Sequence, residues 1–135
     1  MATNTTLLKN PRTLIAAGTS CAVGTPSRGV LDLRTAQGGL LTVKITNGGT
    51  GPTIAPNCNI LIAHNAGATP TPASAGVDWK TLWSFSGDTT ASSVTEQSIS
   101  IDPAVMHLCV EIKDNTGQAV TVEAFLSEIT NAVSV

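Results

Sequence analysis

Apolar and small polar residues alternate in Leu40–Thr46, Asn59–His64, His107–Lys113 and Val120–Leu126, and clusters of glycine, proline, asparagine and threonine separate these runs. A period of two sends successive side chains to opposite faces, as in a half-buried β-strand. After the turn at Gln37-Gly38-Gly39, Leu41, Val43 and Ile45 point to one side, and Thr42, Lys44 and Thr46 to the other. Val30–Arg34 places Leu31 and Leu33 on a core face, with Val30, Asp32 and Arg34 opposite. Ile60 and Ile62 mark the inner face of 59–64, and Ile99 and Ile101 that of Thr95–Ile101. The last strand, over 119–130, turns Val120, Val122, Ala124 and Leu126 inward and leaves Phe125 on the polar side.

The connections have their own chemistry. Asn47–Pro52 carries three glycines and is long for a hairpin, so it predicts a crossing between sheets. Asp114–Gly117 reads as a hairpin turn. The stretch Asn65–Val77, with Pro70 and Pro72, has no periodicity and reads as an exposed loop. Leu14–Ala17 predicts a short strand, whereas residues 1–13 are polar apart from Leu7 and Leu8 and contain Pro11. They read as an arm or edge strand. The expectation is an all-β protein: one antiparallel β-sandwich of about eight strands, jelly-roll or immunoglobulin-like, over 14–135, preceded by an N-terminal arm over 1–13.

Composition narrows the function. Charged residues make up 12% of the chain, about half the roughly 25% usual for soluble domains. Serine, threonine and asparagine supply the polarity instead. A surface of that kind is covered by a partner at small desolvation cost. A net charge of −2 and seven singly scattered lysines and arginines predict no nucleic-acid binding. Leu14–Ala17 is too short to span a bilayer, and the start Met1-Ala-Thr-Asn lacks the features of a signal peptide, so no membrane partner and synthesis in a cytoplasm are expected. Cys21, Cys58 and Cys109 lack metal-ligand spacing and read as reduced thiols, Cys109 as a buried one.

Candidate chemistry is sparse. His64 and His107 sit at strand ends with no G-x-S-x-G turn or H-E-x-x-H motif near them, and read as rim histidines. The nine carboxylates are dispersed among turns and outward strand positions. Glu111 and Glu123 would face each other if the last two strands formed a hairpin. No enzyme activity, metal or cofactor is expected. Interaction residues are the better candidates. Trp79, Trp83 and Phe85 share one parity and read as core anchors; if Trp79 lies at the exposed start of its strand, it is placed instead to stack on a sugar or fill a partner's pocket. Asp32 and Arg34 face outward two residues apart, placed either for intersubunit salt bridges or as a solvated edge pair.

Leu31–Arg34, Gly39–Pro52, Gly76–Lys80, Pro103–Met106 and Asn115–Ala124 resemble small virion proteins of tailed bacteriophages, and in size and style the chain is similar to capsid decoration, or cement, proteins. The likeness covers roughly residues 28–130 and rests on turn-and-strand patterns. It implies a structural subunit, a dimer or trimer, that sits on the virion surface and bridges major capsid proteins. Under that reading the arm, with Leu7, Leu8 and Arg12, and the loop with Pro70 and Pro72 are the contact elements. Deleting residues 1–12 should then leave the sandwich folded and weaken attachment. The alternatives are a tail-associated or glycan-binding sandwich module, or a tail-tube or connector subunit.

Overall fold

The computed structural model describes residues 5–72 and 79–134, and of 5–6 and 131–134 the backbone alone. Eight strands follow one another: β1 (Thr5–Cys21), β2 (Ser27–Asp32), β3 (Gly39–Asn47), β4 (Asn57–Ala63), β5 (Lys80–Ser86), β6 (Val94–Ile101), β7 (His107–Lys113) and β8 (Val120–Ser134). They form two antiparallel sheets of four, ordered β1-β8-β3-β6 and β2-β7-β4-β5. The pairs β1·β8, β2·β7, β3·β6 and β4·β5 are all hydrogen-bonded. The chain is thus one long antiparallel ribbon, folded back at the β4–β5 connection and rolled until β8 meets β3 and β7 meets β4. That is a jelly roll, and it settles the choice between the two sandwich types that periodicity left open.

The core lies between the sheets. Ile15, Leu41, Val43, Ile45, Ile101, Val120, Val122, Ala124 and Leu126 face Leu31, Cys58, Ile60, Leu108, Val110 and Ile112, and all are buried. Trp83 and Phe85 pack against the cluster's margin with ring centroids 5.2 Å apart. The period-two assignments for β3, β6 and β8 therefore hold. Phe125, of outward parity, is half-buried between Thr13 and Thr42 on the neighbouring strands.

Four sequence expectations need correction. The boundary between arm and sandwich at residue 13 is crossed by a single strand: β1 is 17 residues long, and residues 5–13 pair with β8. Register shifts at Leu8/Lys9, Thr13/Ile15 and Ile15/Thr19 break the alternation that would have marked it as a strand. Asp114–Gly117 is not a hairpin turn, because β7 and β8 belong to different sheets. It is an arch whose Asn115 is buried, its Nδ2 donating to the carbonyls of Cys21 (3.1 Å) and Gln118 (3.0 Å). Glu111 and Glu123 accordingly lie in separate sheets. Finally, a bulge opposite Ile60/Leu61 interrupts the parity of β5, so Trp79 stands outside the cluster that Trp83 and Phe85 join.

β7 is buried on both faces. Leu108, Val110 and Ile112 face the core, and His107, Cys109 and Glu111 lie on the outer face of the same sheet. Cys109 sits between Val30 and Leu61, its cross-strand partners. Burial pushes the Cys58 and Cys109 thiols up to about 12, so both are neutral and unreactive at physiological pH.

Candidate interaction site

Backbone bonds gather one set of connections at the end of the sandwich that the candidate residues occupy. Leu33 N–H donates to Met106 C=O at 2.8 Å, and Gln37 N–H donates to Ile129 C=O at 2.7 Å. Asp32, His107 and Ala63 are aligned across β2, β7 and β4, and Lys80, just after Trp79, pairs with Ile62. Leu7, Leu8, Arg12, Asp32, Arg34, Pro70, Pro72 and Trp79 therefore all belong to this one end. Residues 73–77 of the proline loop lie outside the described residues.

Three of the charged candidates are used within the chain. Arg12 Nη1 lies 2.7 Å from Glu128 Oε2, and Glu128 is buried. Arg34 grips Asp32 as a fork, with Nε at 2.9 Å from Oδ1 and Nη2 at 2.7 Å from Oδ2. Its remaining Nη1 donates to Ala66 C=O at 2.7 Å. Of the two readings of Asp32 and Arg34, the exposed pair within the chain is the one present, and it also serves as a clasp on the loop after β4.

His107 is the residue that sequence reasoning misplaced at the rim. It is fully buried beneath that loop, with Nε2 2.8 Å from Asn65 C=O and Nδ1 3.1 Å from Thr69 Oγ1. A carbonyl can only accept, so Nε2 carries a proton and donates it to Asn65 C=O. Asp32 Oδ1 stands 3.8 Å from the same Nδ1. Both ring nitrogens are engaged in holding residues 64–72 down. Pro70 and Pro72 are half-buried in consequence, not fully exposed.

What remains outward is apolar. Glu128 is the last β8 residue in register with β3, at Gly39. Beyond Ile129, β8 pairs only with β1 among the described residues, so residues 5–8 and 131–134 form a two-stranded ribbon extending past the sandwich. Leu7 and Leu8 are 46% and 44% exposed on it, on opposite faces because consecutive strand residues alternate. At its foot, Lys9, Gly39, Leu40, Ser100, Ser127 and Ile129 line a mainly apolar groove of about 490 Å³, and Leu40 is half exposed. An isolated two-stranded ribbon is marginal in water. This one presents Leu7 and Leu8 to solvent.

The outer face of the β2-β7-β4-β5 sheet differs. Glu111 accepts from Arg28 Nε at 2.6 Å, lies 3.4 Å from Lys113 Nζ, and meets Asn59 Nδ2 at 3.4 Å. Burial by itself would raise its pKa, but the Arg28 hydrogen bond, the Lys113 charge and the Asn59 hydrogen bond together hold it below the usual carboxylate range. Beside it, Asn57, Asn59, Ser84 and Ser86 border a polar hollow of about 310 Å³. Asp32 is also held low, chiefly by the Arg34 side-chain hydrogen bond. So is Asp88, chiefly by the Thr90 N–H, in the loop between β5 and β6. Carboxylates depressed in the folded state contribute stability above their unfolded pKa and lose it as pH falls through the folded value. The melting temperature should be level from neutrality to about pH 5 and fall progressively below about pH 4. Thermal melts across that range check this; a melting temperature that rises on acidification below pH 4 would contradict it.

No group of three or more histidines, cysteines or carboxylates placed to hold a metal occurs among the described residues. No helix is long and apolar enough to cross a membrane. The fold and site together define a jelly-roll module with a protruding β1/β8 ribbon that exposes Leu7 and Leu8. No family model and no curated protein matches the chain. Among solved structures, a "Family 16 Carbohydrate Binding Module-2" is similar with a TM-score of 0.43 and 12% identity, over 86% of this chain and 74% of that one. Likeness at that level carries no functional argument.

Proposed function

We propose that this chain is a non-catalytic virion subunit of the capsid-decoration type, attached to the major capsid protein through the β1/β8 ribbon. The observation that carries this reading is the ribbon itself, with Leu7 and Leu8 exposed on its two faces beyond the last strand that could support it. Covering the exposed half of each leucine on a shell would bury apolar area worth about 1 kcal/mol per side chain. Repetition over a symmetric shell multiplies modest single-site affinity into stable attachment. The charge-poor composition and the resemblance of residues 28–130 to tailed-phage virion proteins point the same way.

The test is binding of the purified protein to assembled phage capsids, scored as copies per particle, for the native chain and for the Leu7→Asp/Leu8→Asp double variant. Removing residues 1–12 is a poorer test, because it also strips Arg12 from buried Glu128. The native protein should bind stoichiometrically. The double variant, whose sandwich is untouched, should lose at least tenfold in occupancy, the equivalent of about 1.4 kcal/mol. Equal occupancy of the two proteins, or a handful of native copies per particle, would overturn the reading. The polar hollow at Asn57, Asn59, Ser84 and Ser86 favours a glycan-binding alternative. It has amides and hydroxyls for sugar hydroxyls, while the Phe85 ring that also borders it is half-buried and packed against the core instead of standing free to stack, and a glycan array reports on it directly.

A further inference from the structure

Each sheet of a jelly roll ends in two edge strands, whose unpaired backbone groups invite another strand unless something blocks them. Three of the four edges here are guarded. β1 has three register shifts along its length and carries Lys9, Pro11 and Arg12. β5 has a bulge and begins with Lys80. β2 is only six residues long and carries Arg28, already engaged with Glu111.

β6 carries a single charge, Glu96, and none of the other devices. It is eight residues long and pairs with β3 from Val94↔Thr46 to Ile101↔Gly39 without a register shift. Its sequence, Val-Thr-Glu-Gln-Ser-Ile-Ser-Ile, contains no proline, no glycine and no lysine.

The free backbone groups can be assigned. Asn47 N–H points toward β6, donating to Ser93 C=O at 2.9 Å, whereas Gly38 C=O, of the opposite parity, points toward β8 and accepts from Ile129. Directions alternate along a strand. Thr95, Gln97, Ile99 and Ile101 therefore spend their N–H and C=O groups on β3. Val94, Glu96, Ser98 and Ser100 turn theirs out to the edge.

A second copy of the same strand fits that edge. Running antiparallel about a two-fold axis at Gln97, Glu96 meets Ser98 of the other copy and Val94 meets Ser100. All four outward-turned residues of each chain are then paired, with about eight interchain hydrogen bonds. No like charges face each other, since Glu96 lies opposite a serine. On the core side, half-buried Ile99 meets Thr95, and the two Gln97 amides meet at the axis. A shift of the axis to Ser98 leaves Val94 without a strand partner, and an odd shift sets each core-side residue against an outward-facing one. We propose that two copies of this chain pair antiparallel through β6, about Gln97, joining their β1-β8-β3-β6 sheets into one continuous eight-stranded sheet. The pairing stands independently of what the ribbon binds.

Ser98→Pro tests it selectively. The Ser98 N–H makes no bond to β3, so proline at this edge position leaves the β3–β6 ladder intact and costs only the exposed Thr42–Ser98 hydroxyl contact. In the pair, the same change removes two central hydrogen bonds by symmetry and sets a ring against each partner strand. Sedimentation equilibrium on the order of 100 μM should give a dimer for the native protein and a monomer for Ser98→Pro with unchanged circular dichroism. Amide exchange on the native protein decides the matter even if the variant fails to fold: the Glu96, Ser98 and Ser100 amides should be protected at high concentration and exchange freely on dilution. A native monomer at that concentration, a Ser98→Pro variant that remains dimeric, or edge amides that exchange freely throughout would overturn the proposal.

Discussion

Gly29→Ala is expected to destabilise the fold by about 2–4 kcal/mol, one of the largest effects available from adding a single methyl group. Gly29 lies in β2 opposite Val110, with its hydrogen directed at β1. A Cβ there would fall inside van der Waals distance of the Leu14 carbonyl carbon and oxygen and 2.8 Å from Leu14 Cβ. The carbonyl atoms are backbone, and although Leu14 sits at a bulge, its neighbours Thr13 and Ile15 are both paired with β8, so no side-chain rotation relieves the clash. β1 and β2 close the sandwich along this side, and forcing them apart opens the core next to Ile15 and Leu31. Urea denaturation should show a lower midpoint with an unchanged slope. Gly49→Ala, with nothing within 4 Å of the added carbon, is the control and should stay within about 0.5 kcal/mol. Equal midpoints for the two variants would show that β1 yields freely.

Arg12→Met should cost about 1–3 kcal/mol. The ion pair is asymmetric: the Glu128 side chain is 7% exposed and that of Arg12 38%. Solvent already screens the arginine, so the full penalty of breaking a deeply buried pair does not apply. The carboxylate has no such relief. With Arg12 gone, Glu128 keeps its place in the β3–β8 register at Gly39 and must either draw in water or take up a proton. The Arg12→Met/Glu128→Met double variant should recover most of the loss, because replacing both partners leaves no orphaned charge. A double-mutant cycle by thermal or urea unfolding measures the coupling. A loss in the double variant equal to the sum of the two single losses would mean that the pair contributes nothing as a pair. Arg12 thus reads as a residue that fastens the base of the ribbon, while the leucines beyond it are free for a partner.

Alternation was legible wherever a strand is buried on one face and regular in register. Leu41, Val43 and Ile45 in β3, and Val120 through Leu126 in β8, declare their inner faces because a one-residue slip would expose every one of them. The first half of β1 was not legible, since its bulges and Pro11 break the period. Nor was the burial of His107, Cys109 and Glu111. What covers or flanks them, Asn65, Thr69, Val30, Leu61 and Arg28, lies about 40 to 80 residues away along the chain. Asp114–Gly117 misled for a chemical reason: an asparagine that caps local carbonyls suits a hairpin and an arch equally. Only the sheet to which the next strand goes distinguishes them.

The candidate interaction residues divide along the same line. By itself the sequence determined that the chain is an all-β sandwich with a charge-poor surface, and it singled out Leu7, Leu8, Asp32, Arg34 and the proline loop as unusual. Those are properties of composition and of neighbours in the chain. That these residues share one end of the molecule was decided only by tertiary structure. So was the use of Arg12 and Arg34 within the chain, which leaves the leucines exposed, and so was the open edge at β6. Each depends on which strands become neighbours when the ribbon rolls up. Period-two patterning sets the face of every strand, but not its partner.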